Sequence, residues 1–196
     1  MKIITLKTGF SNSYLIKDKG IILVDAGSYN SFNVFLRETK KNGINPKEIS
    51  AVVITHCHWD HIGCAKSVKE YTNAKIIVHA AELDILENGK HLIVSSLTAR
   101  GKIIEKILNI YNKNKQIEPC EADIIVNGEE KSLSEFGING KIVFTPGHSS
   151  GSVSVILDSG EAFVGDMAIN VSPWFANRLC LFLRKTLQLS KKVGKN

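Results

Sequence analysis

Residues 52–63 constrain the fold and chemistry of this chain more than any other stretch. An apolar, β-branched run breaks into a turn that carries three histidines and one aspartate between positions 56 and 61. Because side chains alternate along an extended segment, His56 and His58 should point to the same side. Asp60 and His61 follow where a helical pattern begins, and they can face the same cavity. Imidazole and carboxylate groups both suit zinc and related metals, so the stretch predicts a metal site.

The spacing His-x-His-x-Asp-His in this stretch resembles the hallmark of the metallo-β-lactamase fold superfamily. The resemblance covers nearly the whole chain. It matches Asp25, which ends an apolar run, to the first motif of the family. It also matches His148, which follows Pro-Gly, to the third motif and Asp166, which follows a glycine, to the fourth. The last histidine of the family, on a strand after a long helix, has no counterpart because no histidine follows His148.

This resemblance implies a set of ligands for two metal ions. The implied assignment is His56, His58 and His148 to the first ion, Asp60 and His61 to the second, and Asp166 to both. Asp25 is a candidate for orienting a ligand through a hydrogen bond, and capping of the following turn is the competing interpretation. Zinc is the expected metal, with iron or manganese as alternatives. The second ion is expected to bind more weakly, since the last histidine of the family is missing.

The implied metal set predicts a hydrolase that uses a zinc-bound hydroxide, because zinc lowers the pKa of bound water to about 7. Asp60 is the candidate catalytic residue. A histidine after the aspartate resembles the motif of thioester hydrolases of the glyoxalase II type and of lactonases. A small ester, thioester or lactone is therefore the predicted substrate. Two alternatives stay open: a phosphodiesterase or nuclease of the same fold, and a metal-binding remnant with little turnover.

The alternation of strand and helix patterns predicts an α/β domain, and the resemblance implies a four-layer αββα sandwich of metallo-β-lactamase type. A helix is predicted from residue 31, and another after residue 63 with Tyr71 as a further candidate for its buried stripe. The predicted strands are 1–7, 12–17, 20–25, 75–79, 123–126, 131–133, 141–145, 152–157 and 161–165.

A chain of 196 residues fits a single domain over 1–196. Residues 80–116 predict a helical insertion, which the resemblance places near the active site. Residues 173–196 predict a C-terminal helix followed by a basic tail. The C-terminus is expected to be incomplete or altered relative to the family, because no apolar β run follows that helix. Apolar residues left uncovered there make a homodimer one expected form of the protein.

The net charge of +6 is concentrated at one end of the chain. Six basic residues and no acidic residue follow Asp166, and the whole chain has 25 basic and 19 acidic residues, a difference of 25 − 19 = 6. Residues 1–166 are therefore neutral on balance. A neutral body argues against a broad nucleic-acid surface, and a small-molecule substrate is the expected partner.

The remaining sequence features concern the environment of the protein. No apolar run is long enough to span a membrane, and the N-terminus lacks a signal-peptide pattern, so a cytoplasmic location without membrane contact is expected. The four cysteines form no CxxC pair. Cys57 lies between the two same-side histidines, so its side chain is expected to point away and to be buried.

Overall fold

The computed structural model describes residues 1–89 and 117–167, and within these ranges the strands form two sheets. The first sheet has the strand order β1-β2-β3-β4-β5-β6. Its strands are Lys2–Lys7 (β1), Asn12–Lys17 (β2), Ile21–Val24 (β3), Ile49–Val53 (β4), Lys75–His79 (β5) and Ile124–Val126 (β6). The second sheet has the order β10-β9-β8-β7. Its strands are Glu130–Ser132 (β7), Gly140–Phe144 (β8), Val153–Leu157 (β9) and Ala162–Phe163 (β10).

The first sheet changes from antiparallel to parallel pairing at β3. Strands β1, β2 and β3 form an antiparallel meander, whereas β3 to β6 pair in parallel. Parallel neighbours need crossover connections, and helices supply them here. The α-helices are Phe32–Lys41 (α1), Trp59–Ile62 (α2), Ala65–Thr72 (α3) and Leu83–Asn88 (α4). Short 3₁₀ turns occur at Pro46–Glu48, Ala80–Glu82, Ser134–Phe136 and Gly165–Met167.

The first sheet is buried on both faces, and each face belongs to a different core. Leu23 of β3 lies in a cluster with Phe35 of α1, on the side of the helices. Ile22, the residue before Leu23, points to the opposite face and lies in a cluster with Val155 of the second sheet. This period of two follows from the pleat of the strand. Helices therefore cover one face of the first sheet, and the second sheet covers the other.

The predicted α/β architecture with two stacked sheets is confirmed. The described residues supply three of the four predicted layers, namely one layer of helices and the two sheets. The C-terminal helix and tail predicted for 173–196 lie outside the described residues, as does the greater part of the insertion predicted for 80–116. No helix in the described ranges is both long and apolar enough to cross a membrane.

Two local expectations differ from the structure. The last strand ends at Phe163, earlier than the predicted 161–165, because Gly165 has a φ of 52° and starts a 3₁₀ turn that bends the chain away. Tyr71, a further candidate for the buried stripe of α3, is 42% exposed. Its ring contacts Phe32 edge-on and lies beneath the ammonium group of Lys47, so the aromatic side chain packs at the surface instead of in the core.

Strand ends from both sheets meet at one edge of the sandwich. The backbone N–H of Asp25, just after β3, donates to Val53 O over 2.9 Å. At the start of β9, the N–H of Val153 donates to Thr55 O over 2.9 Å, which joins the second sheet to the end of β4. The segments that follow these strands are thereby held side by side.

Candidate metal centre

The six residues predicted as metal ligands come from three separate segments of the chain. The loop after β4 supplies His56, and His58 is the residue before α2. Helix α2 itself contains Asp60 and His61. The second sheet delivers the remaining two ligands: His148 from the loop between β8 and β9, and Asp166 from the 3₁₀ turn after β10. The structure brings all six together as two adjoining groups that share Asp166.

The first group is built around one nitrogen of His58. Its Nδ1 atom is 3.1 Å from His56 Nε2 and 2.9 Å from His148 Nε2. The Oδ2 atom of Asp166 is 3.9 Å from His56 Nε2 and 3.6 Å from His148 Nε2. Three imidazole nitrogens and one carboxylate oxygen therefore converge on a single point.

The second group uses the other oxygen of Asp166. His61 Nε2 is 3.3 Å from Asp166 Oδ1 and 3.6 Å from Asp60 Oδ2. This nitrogen is buried and makes no hydrogen bond of good geometry to any residue in the described part of the chain. A buried polar atom without a partner is costly, and a cation between these three groups would remove the cost. Together with the donor types, this atom indicates that the residues present fit a metal ion.

Residues 6–187 match the model of the "Metallo-beta-lactamase superfamily". The chain belongs to the metallo-beta-lactamase superfamily. Its sequence is 34% identical over 187 residues to a protein described as a probable metallo-hydrolase of Methanocaldococcus jannaschii, covering 94% of this chain and 81% of the relative.

Further relatives and solved structures agree with this placement. A second protein described as a probable metallo-hydrolase, from Bacillus subtilis, is 24% identical over 172 residues, covering 85% of this chain and 64% of that protein. Among solved structures, BJP-1, a subclass B3 metallo-β-lactamase of Bradyrhizobium japonicum, matches with a TM-score of 0.64 at 22% identity, covering 86% of this chain and 61% of that one. A mutant metallo-β-lactamase from Cronobacter sakazakii matches with a TM-score of 0.63 at 22% identity, covering 96% of this chain and 70% of that one. At this identity the structural matches establish the shared fold. The chain spans less than two thirds of the Bacillus and Bradyrhizobium proteins.

In this metallo-beta-lactamase fold, Asp25 and Thr55 connect the two ligand groups. Thr55 donates to Asp25 through both its backbone N–H and its hydroxyl, at 2.8 Å to Oδ1 and 2.8 Å to Oδ2. Thr55 Oγ1 also lies 3.1 Å from His56 Nδ1. Because the single hydroxyl hydrogen goes to Asp25, the hydroxyl oxygen accepts from His56 Nδ1. The lone pair of this imidazole is then on Nε2, the atom that faces the first group.

Burial and neighbouring imidazoles keep His56 and His58 neutral. Burial, followed by the charges of the nearby histidines His61, His58 and His148, holds the pKa of His56 far below its ordinary value. Burial and the neighbouring His148 lower the pKa of His58 to about 4. A neutral imidazole is the form that binds metal ions, so His56 and His58 are ready for a cation at neutral pH.

The second group has the opposite balance of charge. Burial alone would lower the pKa of His61, but the negative charge of Asp25, the hydrogen bond to Asp25 and the nearby carboxylate of Asp166 raise it to about 10. Burial raises the pKa of Asp60. For Asp166, burial opposes ionisation, but the close contact with His61 and the charge of that residue outweigh burial and lower the pKa. The carboxylates thus demand a positive charge at His61 Nε2, and either a proton or a metal ion can supply it.

Three residues around the centre were not predicted from the sequence to belong to it. Thr55 gave no signal because a threonine at the end of a strand is common. The hydroxyl of Ser11, in the loop between β1 and β2, donates to the carbonyl oxygen of Asp60. Glu82, which follows β5, is a buried acid whose carboxylate contacts backbone groups of both metal-bearing loops. Only the three-dimensional structure brings these residues to the centre.

His79 and Cys57 lie apart from the two groups. The ring of His79 stacks on Phe144, with 4.2 Å between the ring centroids, and its Nδ1 accepts the N–H of Ala81. Cys57 is buried in the core on the helix side, as its position between two same-side histidines predicted. His91 lies outside the described residues.

Proposed function

We propose that this protein is a metal-dependent hydrolase that cleaves a small ester, thioester or lactone at a two-metal centre. That it is a metallo-hydrolase of the superfamily rests on the family match and on the two relatives described as probable metallo-hydrolases. The two-metal centre is supported by one observation above all. The two oxygens of Asp166 face different ligand groups, Oδ1 toward His61 and Oδ2 toward His56 and His148.

Such a carboxylate can join two cations. His56, His58 and His148 would hold the first cation, and Asp60, His61 and Asp166 would hold the second. When bound, two such cations supply a water of lowered pKa as nucleophile and polarise the oxygen of the scissile bond. The donor atoms suit zinc, and they also accept iron or manganese.

The residues of the chain itself perform the remaining tasks. His56 and His58 are neutral and add no negative charge to the first group, so a cation held there would keep its full positive charge to act on an acyl oxygen. Asp60 is the candidate catalytic residue: its Oδ2 faces the second ligand group, which leaves Oδ1 as the oxygen that would accept a proton. The proton of the attacking water can therefore pass to Asp60 and then to the leaving group.

The surface beside the centre supports an organic acyl substrate. Phe10, in the loop between β1 and β2, is 77% exposed, and its ring centroid lies 5.5 Å from that of Trp59. Trp59 is located in the motif between His58 and Asp60. An apolar ring at this place suits the hydrocarbon part of an ester, thioester or lactone. Residues 1–166 carry no net charge, which favours such a substrate over a polyanion.

The test is hydrolysis by the zinc-loaded protein of four probes: p-nitrophenyl acetate, an acyl thioester, a γ-lactone and bis(p-nitrophenyl) phosphate. At least one of the first three should be hydrolysed in preference to the phosphodiester. A chelator should abolish the activity, and added zinc should restore it. His58→Ala, purified in parallel, should be inactive, which excludes a contaminating hydrolase.

Two outcomes would favour other functions. Preference for the phosphodiester would replace the proposal with a phosphodiesterase or nuclease. A protein that binds metal but hydrolyses none of the probes would be a metal-binding remnant. Elemental analysis of the same samples separates this second outcome from a protein that has lost its metal.

A further inference from the structure

The carboxylate of Glu82 has no part in the two ligand groups, yet it is 1% exposed. Glu82 ends the 3₁₀ turn after β5 and precedes α4. A buried carboxylate costs free energy unless hydrogen bonds replace its water. The partners of Glu82 therefore indicate what the residue does.

Both oxygens of Glu82 accept backbone N–H groups, and the two donors come from different loops. Oε2 accepts the N–H of Cys57 over 3.0 Å, and Oε1 accepts the N–H of Gly151 over 3.0 Å. Cys57 is the residue between His56 and His58, and Gly151 is three residues after His148. A single carboxylate thus spans the two loops that carry all three imidazoles of the first group.

The contact with Gly151 leaves no space for a side chain. A Cβ atom at this position would lie 2.4 Å from Glu82 Cγ and 2.8 Å from Glu82 Oε1. Within the loop, the N–H of Thr145 donates to Ser152 O over 2.9 Å, so the segment around His148 is closed at its base. Glu82 ties this closed loop to the motif that follows β4.

The other end of the same loop is held by His79, three residues before Glu82. Its ring is parallel to that of Phe144, with an interplanar angle of 8° and 4.2 Å between centroids. Phe144 is the last residue of β8, where the loop begins. The corner after β5 therefore contacts the His148 loop at both its start and its end.

We propose that Glu82 is a positioning residue that sets the spacing between the two loops of the first ligand group, through its hydrogen bonds to Cys57 N and Gly151 N. This inference rests on the metal site of the proposed function and is independent of the substrate. Without the carboxylate, His58 and His148 are no longer held at the separation that a single cation requires. Residues that support ligands in this way typically change metal affinity about 10–100-fold when they are replaced.

The main test is Glu82→Gln, which keeps the shape of the side chain but replaces one acceptor oxygen with an NH₂ donor that faces a backbone N–H. The affinity for the first equivalent of Zn²⁺ is measured by competition with a chromophoric chelator. The expected result is a loss of about 10–100-fold. The absorption spectrum of the Co²⁺ form should also change, since it reports the geometry of the ligands rather than the stability of the fold.

Asp123→Asn is the matched control. Asp123 Oδ2 accepts the N–H of Ile76 over 2.8 Å, so it too is a carboxylate that satisfies a backbone donor, but at the start of β5. This variant should lose stability in urea without a change in Zn²⁺ affinity or in the Co²⁺ spectrum. Parental first-equivalent affinity and an unchanged Co²⁺ spectrum in Glu82→Gln would overturn the proposal, as would a loss of affinity no larger than that of Asp123→Asn.

Gly151→Ala provides a second route if Glu82→Gln does not fold. The added methyl group displaces the Glu82 carboxylate, and the first equivalent of Zn²⁺ should again bind more weakly, with an altered Co²⁺ spectrum. Parental affinity in this variant would count against the positioning role. If the parent protein itself fails to bind Zn²⁺, the proposed metal site is wrong; if only the variants match the parent, the positioning role alone is wrong.

Discussion

His61 and Asp25 form a buried pair in which His61 Nδ1 donates to Asp25 Oδ2 over 2.8 Å. His61 is 3% exposed and Asp25 is 2% exposed. This hydrogen bond fixes the ring so that Nε2 faces Asp60 and Asp166. It also assigns the hydrogen to Nδ1, which leaves Nε2 as the atom available to a metal ion.

The first prediction follows from this pair. Asp25→Asn should weaken the second equivalent of zinc by about 10–100-fold, because His61 loses the partner that orients it. The first equivalent should be affected less, since Asp25 reaches His56 only through Thr55. Titration with zinc against a chromophoric chelator measures both affinities.

The control for this variant is Asp18→Asn. Asp18 is a half-buried acid after β2 that accepts a hydrogen bond from Asn139 and contacts neither ligand group. Its replacement should leave both zinc affinities unchanged. Equal affinities for the second equivalent in Asp25→Asn and in the parent would contradict the role of Asp25.

A second prediction separates the two ligand groups. His58→Ala should remove the first equivalent of zinc, because His58 Nδ1 is the nitrogen nearest to both other imidazoles of that group. His61→Ala should keep the first equivalent and lose the second. Elemental analysis after dialysis against metal-free buffer measures the content. A zinc content in His58→Ala equal to that of the parent would refute the assignment.

The third prediction concerns the shared carboxylate. Asp166→Ala should lower turnover of the best probe by more than about a hundredfold, beyond the range typical of residues that only support ligands. The second equivalent of zinc should be lost as well, because Asp166 Oδ1 is one of three groups around it. Asp158→Ala, an exposed acid on the chain between β9 and β10, is the control. A parental rate in Asp166→Ala would exclude a two-metal mechanism.

The fourth prediction is the pH dependence of stability in the metal-free protein. The pKa of His58 is lowered to about 4, so between about pH 4 and its unfolded value of 6.5 only the unfolded chain takes up its proton. Stability therefore falls as the pH drops through this window. The pKa of His61 is raised to about 10, so its contribution is present below 6.5 and is lost as the pH rises toward 10.

Urea unfolding at about pH 5, about pH 6.5 and about pH 8.5 should give the highest stability near the middle value. His61→Gln should lose much of the decline on the alkaline side and keep the decline on the acid side. A stability that rises steadily from pH 6.5 to 8.5 in the metal-free parent would show that His61 is not held protonated by its carboxylates.

Much of the fold could be predicted because its signals are local. Strands β1 to β5 follow β-branched apolar runs, and their observed bounds differ from the predicted ones by one residue at most where bounds were given. The last strand ends at Phe163 instead of residue 165 because of the positive φ of Gly165, which a glycine permits but does not impose. Tyr71 was misplaced because helical spacing does not distinguish a core ring from one that packs on Phe32 at the surface.

The candidate site, like the fold, was predicted from the sequence only in part. A dense motif and a family resemblance identified the six ligand candidates, and the structure places all six in two adjoining groups. Glu82 could not be found in this manner, since its role depends on two backbone N–H groups distant in sequence, Cys57 N and Gly151 N. A backbone group has no residue type, so no sequence pattern identifies the acid that accepts from it.

The convergence of His58 and His148, which are 90 positions apart in the chain, also bears on how the protein assembles. His58 lies between β4 of the first sheet and α2, and His148 lies in the loop between β8 and β9 of the second sheet. An unfolded chain can offer only the short motif around His58, so tight capture of a metal ion requires that the two sheets have already docked. The time at which Zn²⁺ binds tightly during refolding would therefore report the docking of the two sheets. Mutations at the interface between the sheets would delay this binding.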